Sequence, residues 1–441
     1  MSVLELPAEI LGKILDHYVH DRRKVRLMDP IRPSSELRRI SAYSDSRTHP
    51  VDPTHVCQLW RTTAISIPQI WATIDVSQIK SEGDVKMFEL WLERSAGRDG
   101  TYPLTLSITQ RARAPVDLKK VFSLAISQHR RWKYISLALD GVYLPFFEPL
   151  YTVAPLSTLR GFQVGFGLCD SDGLRRLVGV LCSSTALRSV EFGNELYGRN
   201  PIAVPWDSLS LTTLSFNILE LSRLIRILSS SMDTLRDISV STLLSPLSLD
   251  GLTLTMRRLQ SLHITSFGFG SHASEMFDKL TLPSLHELYL PGGFIPYKKF
   301  ELQTRGWESL LSLLQRSNCQ LQAFEFGDEN TPDLIEKLKS PLFEHLTSLK
   351  VTSYLEGHPD ISSQLLDVLS EACEETQMPR VLPLLETLKL NSIHSQVGVQ
   401  EMVSARVAAY GGCGKSKLRR VCAQHMDAEE YALEIDLNDQ A

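Results

Sequence analysis

A spaced apolar motif, L-x-x-L-x-L with aromatic or β-branched substitutes, recurs through most of this 441-residue chain and constrains its fold more than any other feature. The copies begin at Trp71, Leu104 (a shortened copy), Trp132, Leu159, Leu187, Leu211, Leu235, Leu259, Leu285, Leu321, Leu346, Leu385 and, more weakly, Leu418. The starts at 187, 211, 235 and 259 are 24 residues apart, whereas later steps reach 36 (285 to 321) and 39 (346 to 385). Such a period predicts a stack of repeats, each of which packs against its neighbours.

Amphipathic helices are predicted between these motifs, because apolar residues recur there at helical spacing. The predicted helices lie at 84–95 and 115–129 and around Leu174–Leu181, Leu221–Leu228, Trp307–Leu314 and Leu365–Cys373. Short strands that alternate with helices predict an α/β fold, a curved solenoid with parallel strands inside and helices outside. In each strand, the apolar positions should face the helices and the residues between them should face the concave side.

Composition excludes several classes of function. The 46 basic and 51 acidic residues give a formal charge of -5, which does not favour a nucleic-acid partner. The seven cysteines are scattered without a C-x-x-C pair, as expected for reduced thiols. No apolar run approaches the roughly 18 residues that a membrane-spanning helix needs, and the N-terminus lacks the basic region of a secretory signal. We therefore expect no membrane partner and a location in the cytoplasm or nucleus.

The first 71 residues have a different, helical pattern. Leu6-Pro7-Ala8-Glu9 predicts the start of a helix, with proline and an acidic residue in the first turn. A second helix is predicted from Asp52-Pro53 to Ile67, where Pro68 ends it and Ile70-Trp71 leads into the first strand. The apolar stripe of the first helix is Ile10, Leu11, Ile14, Leu15 and Tyr18.

Residues 21–50, between the two predicted helices, are polar and charged and lack a sustained period. We interpret them as a solvated loop. The alternative is a nuclear-targeting or anion-binding patch formed by basic residues such as Arg22-Arg23-Lys24.

Three short motifs in this region resemble an F-box: Leu6-Pro7-x-Glu9-Ile10-Leu11-x-x-Ile14-Leu15, Val56-Cys57-x-x-Trp60-Arg61-x-x-Ala64 and Pro68-x-x-Trp71. An F-box is a small helical module that docks on the Skp-type adaptor of a cullin–RING ubiquitin ligase. The chain departs from the family in the long link between its two helical parts. The resemblance implies that the adaptor-binding residues are Leu6, Pro7, Ile10, Ile14, Val56, Trp60 and Trp71.

The repeats in turn resemble the irregular leucine-rich arrays of fungal F-box-like proteins. Segments such as Leu90–Ser95 and His129–Trp132 look like that group, although the asparagine or cysteine ladder of regular leucine-rich repeats is missing. The resemblance implies that the repeats present a target protein.

One residue per repeat, the one after the central apolar position, is predicted to face the concave side. Along the chain these residues change from small and polar to aromatic and charged, and tyrosine is enriched at interface hot spots. The alternative is that the concave face is solvated and binds no ligand. The predicted target-binding residues are His263, Tyr289, Glu325, Lys350 and Lys389.

We find no catalytic constellation in the sequence. Gly414-Lys415-Ser416 ends like a phosphate-binding loop, but position 409, which should be the first glycine, is alanine. His286-Glu287 begins like a zinc protease motif, but Leu290 stands where the second histidine is needed. We therefore expect no enzyme, no metal and no cofactor.

The sequence predicts three parts: an F-box-like module at 1–71 with a polar insertion at 21–50, a repeat array at 72–426, and an acidic tail or cap at 427–441. The leading interpretation is a substrate-recognition subunit of a cullin–RING E3 ubiquitin ligase, with the Skp-type adaptor and an unidentified target protein as partners. The alternative is a non-catalytic repeat scaffold that recruits no ligase and whose N-terminal helices cap the array.

Overall fold

The fold is seen in a computed structural model. The structure describes residues 6–7, 9–17, 51–77, 79–110, 118–153, 155–167, 171–193, 204, 206–244, 253–267, 273–290, 300–327, 331–352, 361–372, 379–393, 396–410, 418–425 and 433–436. The predicted insertion at 21–50 and Gly414-Lys415-Ser416 lie outside these residues. The chain divides into two compact units, unit 1 (Met1–Asn217) and unit 2 (Ile218–Ala441).

Unit 1 alternates helices with strands. Its helices are α1 (residues 9–17), α2 (Gln58–Ser66), α3 (Pro68–Trp71), α4 (Glu82–Ser95), α5 (Lys119–Ser127) and α6 (Ser171–Cys182). Short 3-10 segments lie at Asp52–His55, His129–Arg131, Gly141–Thr152 and Trp206–Ser208. Its strands are β1 (Thr73–Ser77), β2 (Leu104–Gln110), β3 (Trp132–Leu139), β4 (Gly161–Phe166), β5 (Ser189–Phe192) and β6 (Thr213–Glu220), the last of which contains the boundary between the units.

Strands β1 to β6 pair in sequence order, and each pair is parallel. The register places equivalent motif positions side by side; for example, Ile135 of β3 pairs with Phe162 of β4, and Phe162 pairs with Val190 of β5. Burial alternates along β2, because successive side chains of a strand point to opposite faces. The apolar positions therefore form the core under the helices.

The second predicted helix is wrong in its first part. The chain forms a 3-10 turn at Asp52–His55, becomes extended at Cys57, and only then begins α2 at Gln58. Pro68 does end α2, because the residue before it, Ile67, is extended, as is usual before proline. Trp71 ends the short helix α3, and the strand predicted to follow it is β1 (Thr73–Ser77).

Unit 2 continues the alternation. Its helices are α7 (Leu221–Ser230), α8 (Ala273–Lys279), α9 (Phe300–Ser317), α10 (Thr331–Leu338), α11 (Ile361–Ser370) and α12 (Gln396–Tyr410), with a 3-10 turn at Pro341–Phe343. Its strands are β7 (Asp237–Leu244), β8 (Leu254–Thr255), β9 (Ser261–Phe267), β10 (Leu280–Thr281), β11 (Glu287–Leu290), β12 (Ala323–Gly327), β13 (Ser348–Thr352), β14 (Thr387–Ile393), β15 (Arg420–His425) and β16 (Leu433–Asp436).

The main sheet of unit 2 has the order β7-β9-β11-β12-β13-β14-β15-β16, and its pairs are parallel except the last. Strand β16 comes from the acidic segment at 427–441 and pairs antiparallel along the edge of β15. Strands β8 and β10 form a separate two-stranded parallel sheet.

The structure confirms the predicted α/β class with parallel strands and intervening helices. In all thirteen predicted motifs, the last two apolar residues lie within a strand. Almost all of these residues are buried; Val76 is an exception and is half-buried. The motif therefore marks the strands reliably, although the spacing between them is irregular.

Buried arginines connect neighbouring repeats within each unit. In unit 1, the Arg131 guanidinium donates to the carbonyl of Tyr102 (2.8 Å) and to Ser95 Oγ (2.9 Å). In unit 2, the Arg406 guanidinium donates to the carbonyls of Leu369 (3.0 Å) and Leu382. The Arg406 bonds satisfy buried carbonyl groups, and an unsatisfied buried carbonyl would destabilise the fold.

Candidate functional site

Helix α1 presents two different apolar stripes. Pro7 precedes the helix, and its carbonyl accepts hydrogen bonds from the backbone N–H groups of Ile10 and Leu11 (both 3.0 Å). Leu11 and Leu15 are completely buried, whereas Ile10 is 42% exposed and Ile14 is 43% exposed. Since Ile10 and Ile14 lie one turn apart, the structure brings these two predicted adaptor-binding residues together on an open helix face.

The N-terminal module holds an unusual share of the exposed apolar side chains. Of the eight large hydrophobic residues that are exposed in the described part of the chain, Ile10, Ile14, Val56 (61%) and Ile65 (40%) belong to it. Of the other predicted adaptor-binding residues, Pro7 is exposed and Leu6 and Trp60 are half-buried.

Trp71 does not belong to this exposed set and is a core residue. Its indole N–H donates to the Ala64 carbonyl (2.8 Å), and its ring lies 6.5 Å from the ring of Trp91. The Arg94 guanidinium covers the ring at 4.5 Å, a cation–π contact. The prediction that Trp71 contacts an adaptor is therefore wrong, because its side chain is already used to pack α3 against α4.

Helix α1 also packs against the rest of unit 1. A Cβ added at Gly12 would lie 3.0 Å from Ile67 Cδ1, so the helix passes close to the residue after α2. Burial raises the pKa of the Tyr102 hydroxyl, and the nearby Asp16 carboxylate raises it further. Asp16 therefore lies close to the first repeats, which explains how one stripe of α1 is buried while the other stays open.

The predicted target-binding residues form one row across the sheet of unit 2, which we call the polar row. His263 of β9 pairs with Tyr289 of β11, Tyr289 with Glu325 of β12, Glu325 with Lys350 of β13, and Lys350 with Lys389 of β14. The register therefore brings together residues that are far apart in the sequence, and places each beside the next on adjacent strands.

His263 is buried, contrary to the prediction that it faces solvent. Only 3% of it is exposed, and its ring lies 5.7 Å from the ring of Tyr289. Burial lowers the pKa of the imidazole to about 4, and the positive charge of Lys350 contributes in the same direction. His263 is therefore neutral at pH 7. Its Nε2 faces Thr265 Oγ1 at 3.3 Å, but its buried Nδ1 has no hydrogen-bond partner among the described residues.

The charged end of the polar row contains one ion pair and a further lysine. Lys350 Nζ lies 2.8 Å from Glu325 Oε1, and both side chains are largely shielded from water. Lys389 is half-buried, and the register continues from it through Cys422 of β15 to Glu434 of β16. Beside the ion pair, Thr352 is buried, and its Oγ1 has no hydrogen-bond partner among the described residues. Sequence analysis missed Thr352, although its place two residues after Lys350 put it on the same face.

Unit 1 carries an equivalent row with different chemistry. Asp75, Ser107, Ser136, Gln163, Glu191 and Ser215 pair in register across β1 to β6. Ser136 Oγ donates to Gln163 Oε1 (2.6 Å), and Gln163 Nε2 donates to Glu191 Oε1 (2.7 Å). Burial raises the pKa of the Glu191 carboxyl, and the Gln163 donor opposes that effect. The middle of this row is therefore internally hydrogen-bonded.

The described residues offer no group of three or more His, Cys, Asp or Glu side chains that could hold a metal ion. Within the same residues, no helix is both long enough and apolar enough to cross a membrane. The chemistry that the structure does present is that of contact surfaces, one apolar and one polar.

Comparison with known proteins gives no further assignment, because no family model matches the chain and no curated protein matches it.

Proposed function

We propose that this protein is the substrate receptor of a cullin–RING ubiquitin ligase. In this proposal, residues 1–71 form an F-box-like module that binds the Skp-type adaptor, and the repeats form a curved solenoid that binds a target protein. The exposure of Ile10 and Ile14 on α1 carries the proposal. Exposed apolar side chains on a small helical module are typical of a protein interaction site.

If the N-terminal helices were instead a cap of the repeat array, a different exposure of the same residues would be expected. A cap would bury the stripe of Ile10 and Ile14 against the repeats, since covering apolar surface is how a cap stabilises a stack. In the structure Leu11 and Leu15 are buried, whereas Ile10 and Ile14 remain more than two-fifths exposed. One helix thus has a buried stripe and an exposed apolar stripe.

The function would be one of proximity. The receptor itself forms and breaks no covalent bond; it holds the target near the ligase and so raises the target's effective concentration there. This division of labour fits a chain with an apolar surface in its N-terminal module and a polar row on the repeats of unit 2. Ubiquitin-dependent degradation of the target would follow.

The test is capture of a purified Skp-type adaptor by the full-length protein. The double variant Ile10→Asp and Ile14→Asp should lose capture by at least tenfold, because it places charges in an apolar interface. Val142→Asp is the matched control, since Val142 is also exposed in unit 1 but lies outside the module. Its capture should equal that of the unchanged protein.

Absence of adaptor capture by the unchanged, folded protein at micromolar concentration would refute the proposal. It would also favour the second candidate, a repeat scaffold that recruits no ligase. That candidate has one observation on its side: Trp71 anchors the module to the first repeat, as a built-in cap would require.

A further inference from the structure

We propose that a strip of cations at the N-terminal ends of strands β3 to β5 in unit 1 binds a run of Asp and Glu residues in a partner protein. The strip comprises Arg130, Lys133, Arg160 and Arg188, and we call it the basic strip. The inference rests on the receptor role proposed above only in identifying the partner with the target, because binding of an acidic run does not require ligase recruitment.

The backbone register places three of these cations side by side. The Arg160 N–H donates to the Lys133 carbonyl (2.8 Å), and the Arg188 N–H donates to the Arg160 carbonyl (2.7 Å). Lys133 is the second residue of β3, and Arg160 and Arg188 directly precede β4 and β5. Since neighbouring strands are about 4.8 Å apart, the three residues extend over about 10 Å.

Arg130 adds a fourth cation at the same end of the strands. It lies in the 3-10 segment that precedes β3, and its carbonyl accepts from Thr158 Oγ1 (2.8 Å), two residues before Arg160. Arg130, Arg160 and Arg188 are exposed, and Lys133 is half-buried. A ligand in solution can therefore reach the strip.

No acidic side chain accompanies these cations. The segments that lead into the three strands, residues 128–133, 153–160 and 183–188, contain no Asp or Glu. The next residues on the sheet, Tyr134, Gly161 and Ser189, pair in register and are uncharged. Among the described residues, none of the four cations forms an ion pair.

The register continues to a neutral residue on each side of the strip. The Thr212 N–H donates to the Arg188 carbonyl (2.8 Å), and Leu104 of β2 pairs with Trp132, the residue before Lys133. Acidic residues return only in the segments before β2 and β6, with Asp99 and Asp207. Like charges on neighbouring strands repel one another, so a bound anion would stabilise this arrangement.

The distribution of the charge selects a run of carboxylates. Each guanidinium can hold a carboxylate through two parallel hydrogen bonds. An extended chain advances about 3.3 Å per residue, so a run of about four acidic residues covers the strip. A single phosphoryl group carries up to about two charges at one point and would leave the rest of the strip unmatched.

A single-stranded nucleic acid fits the strip less well. Its phosphates continue in both directions, whereas the strip ends at neutral residues and has acidic residues beyond them. The ring of Tyr134 already packs on the chain's own backbone, since a Cβ added at Gly161 would lie 2.8 Å from Tyr134 Cδ1. The formal charge of -5 also opposes a long polyanion.

The probe is a fluorescein-labelled peptide with four consecutive glutamates between Gly-Ser flanks, and its binding to the full-length protein is measured by fluorescence anisotropy. Binding should be measurable at micromolar protein in low salt and should weaken as salt is added, because salt screens exposed charges. A peptide with four glutamines should bind at least tenfold more weakly. A peptide with one phosphoserine in place of the glutamates, and a ten-nucleotide oligothymidylate, should each bind more weakly than the glutamate peptide.

Variants of the protein then locate the site. The double variant Arg160→Gln and Arg188→Gln should weaken binding of the glutamate peptide at least tenfold, and its thermal unfolding should stay close to that of the unchanged protein because both side chains are exposed. The matched control is Arg176→Gln with Arg226→Gln, which makes the same charge change at exposed positions of α6 and α7. This control should bind normally.

Absence of binding, equal binding of the glutamine peptide, or normal binding by the folded Arg160→Gln and Arg188→Gln variant would each overturn the inference. Equal or tighter binding of the phosphoserine peptide or of the oligothymidylate would overturn the assignment to an acidic run. These measurements contain no adaptor, so their failure is distinguishable from failure of the adaptor capture that tests the receptor role.

Discussion

The two units build the same kind of polar row from the same repeat geometry, yet the hydrogen bonds along the two rows differ. In the middle of the unit 1 row, Ser136, Gln163 and Glu191 bond to one another in a chain across three strands. In unit 2, His263 Nδ1 and Thr352 Oγ1 are buried and have no hydrogen-bond partner among the described residues. The difference teaches that a polar row can either stabilise the fold or destabilise it, because satisfied buried polar groups are favourable and unsatisfied ones are not.

The largest expected effect is the response of unit 2 to acid. The pKa of His263 falls from the ordinary 6.5 to about 4 in the folded protein, so below pH 6.5 the unfolded chain binds a proton that the folded chain does not. The stability that depends on neutral His263 is therefore complete above pH 6.5 and is lost as the pH falls through about 4. The loss corresponds to about 3 kcal/mol.

Urea unfolding at several pH values between 8 and 4 measures this loss. Other groups titrate in the same range, so the result is the difference between the unchanged protein and His263→Leu, whose free energy of unfolding should fall less steeply. The half-exposed His345 of unit 2 provides the control: His345→Leu should follow the unchanged protein. Identical profiles for His263→Leu and the unchanged protein would contradict the burial of a neutral imidazole.

The second effect should appear in unit 1. Gln163→Leu removes the donor to Glu191 and the acceptor for Ser136, so we expect a loss of about 2 kcal/mol in the free energy of unfolding. Adding Glu191→Leu should recover most of this loss, since replacing both partners leaves no buried carboxylate without a hydrogen-bond donor. A double variant as unstable as Gln163→Leu would mean that this chain of bonds does not stabilise unit 1.

The smallest effect has the opposite sign. At pH 8, where the imidazole is neutral in both folded and unfolded chains, His263→Leu should stabilise the protein by about 1 kcal/mol, because it removes a buried nitrogen for which the described residues provide no hydrogen-bond partner. Urea unfolding measures the change. Destabilisation by a similar amount would show that His263 contributes to packing more than its unsatisfied nitrogen costs, and the contrast with Gln163 would disappear.

The strands and their register could be predicted from the sequence because burial of apolar residues dictates both. The spacing of Leu259, Leu262 and Ile264 identifies a strand, and the 24-residue step from Leu235 aligns it with its neighbour. The polar row followed from the same rule, since residues between buried positions share the other face. Short helices such as α8 and α10 escaped prediction because few apolar residues mark them.

The accessibility of individual side chains could not be predicted in the same way. Periodicity says which face of an element a side chain occupies, but it does not say what other part of the chain covers that face. His263 lies on the predicted face and is nevertheless buried. Trp71 matches the F-box motif by type and position, yet Trp91 and Arg94, 20 and 23 residues later, enclose it. Such partners are determined by tertiary packing.

The register of the polar row has a consequence for how recognition could change. Neighbouring positions of the row belong to separate repeats, and each strand contributes a single side chain whose backbone is fixed by buried leucines on the opposite face. Exchange of one such side chain, for example Tyr289, alters one contact point and leaves the scaffold intact. A new binding preference could thus arise through successive single substitutions in the row, while the fold stays the same.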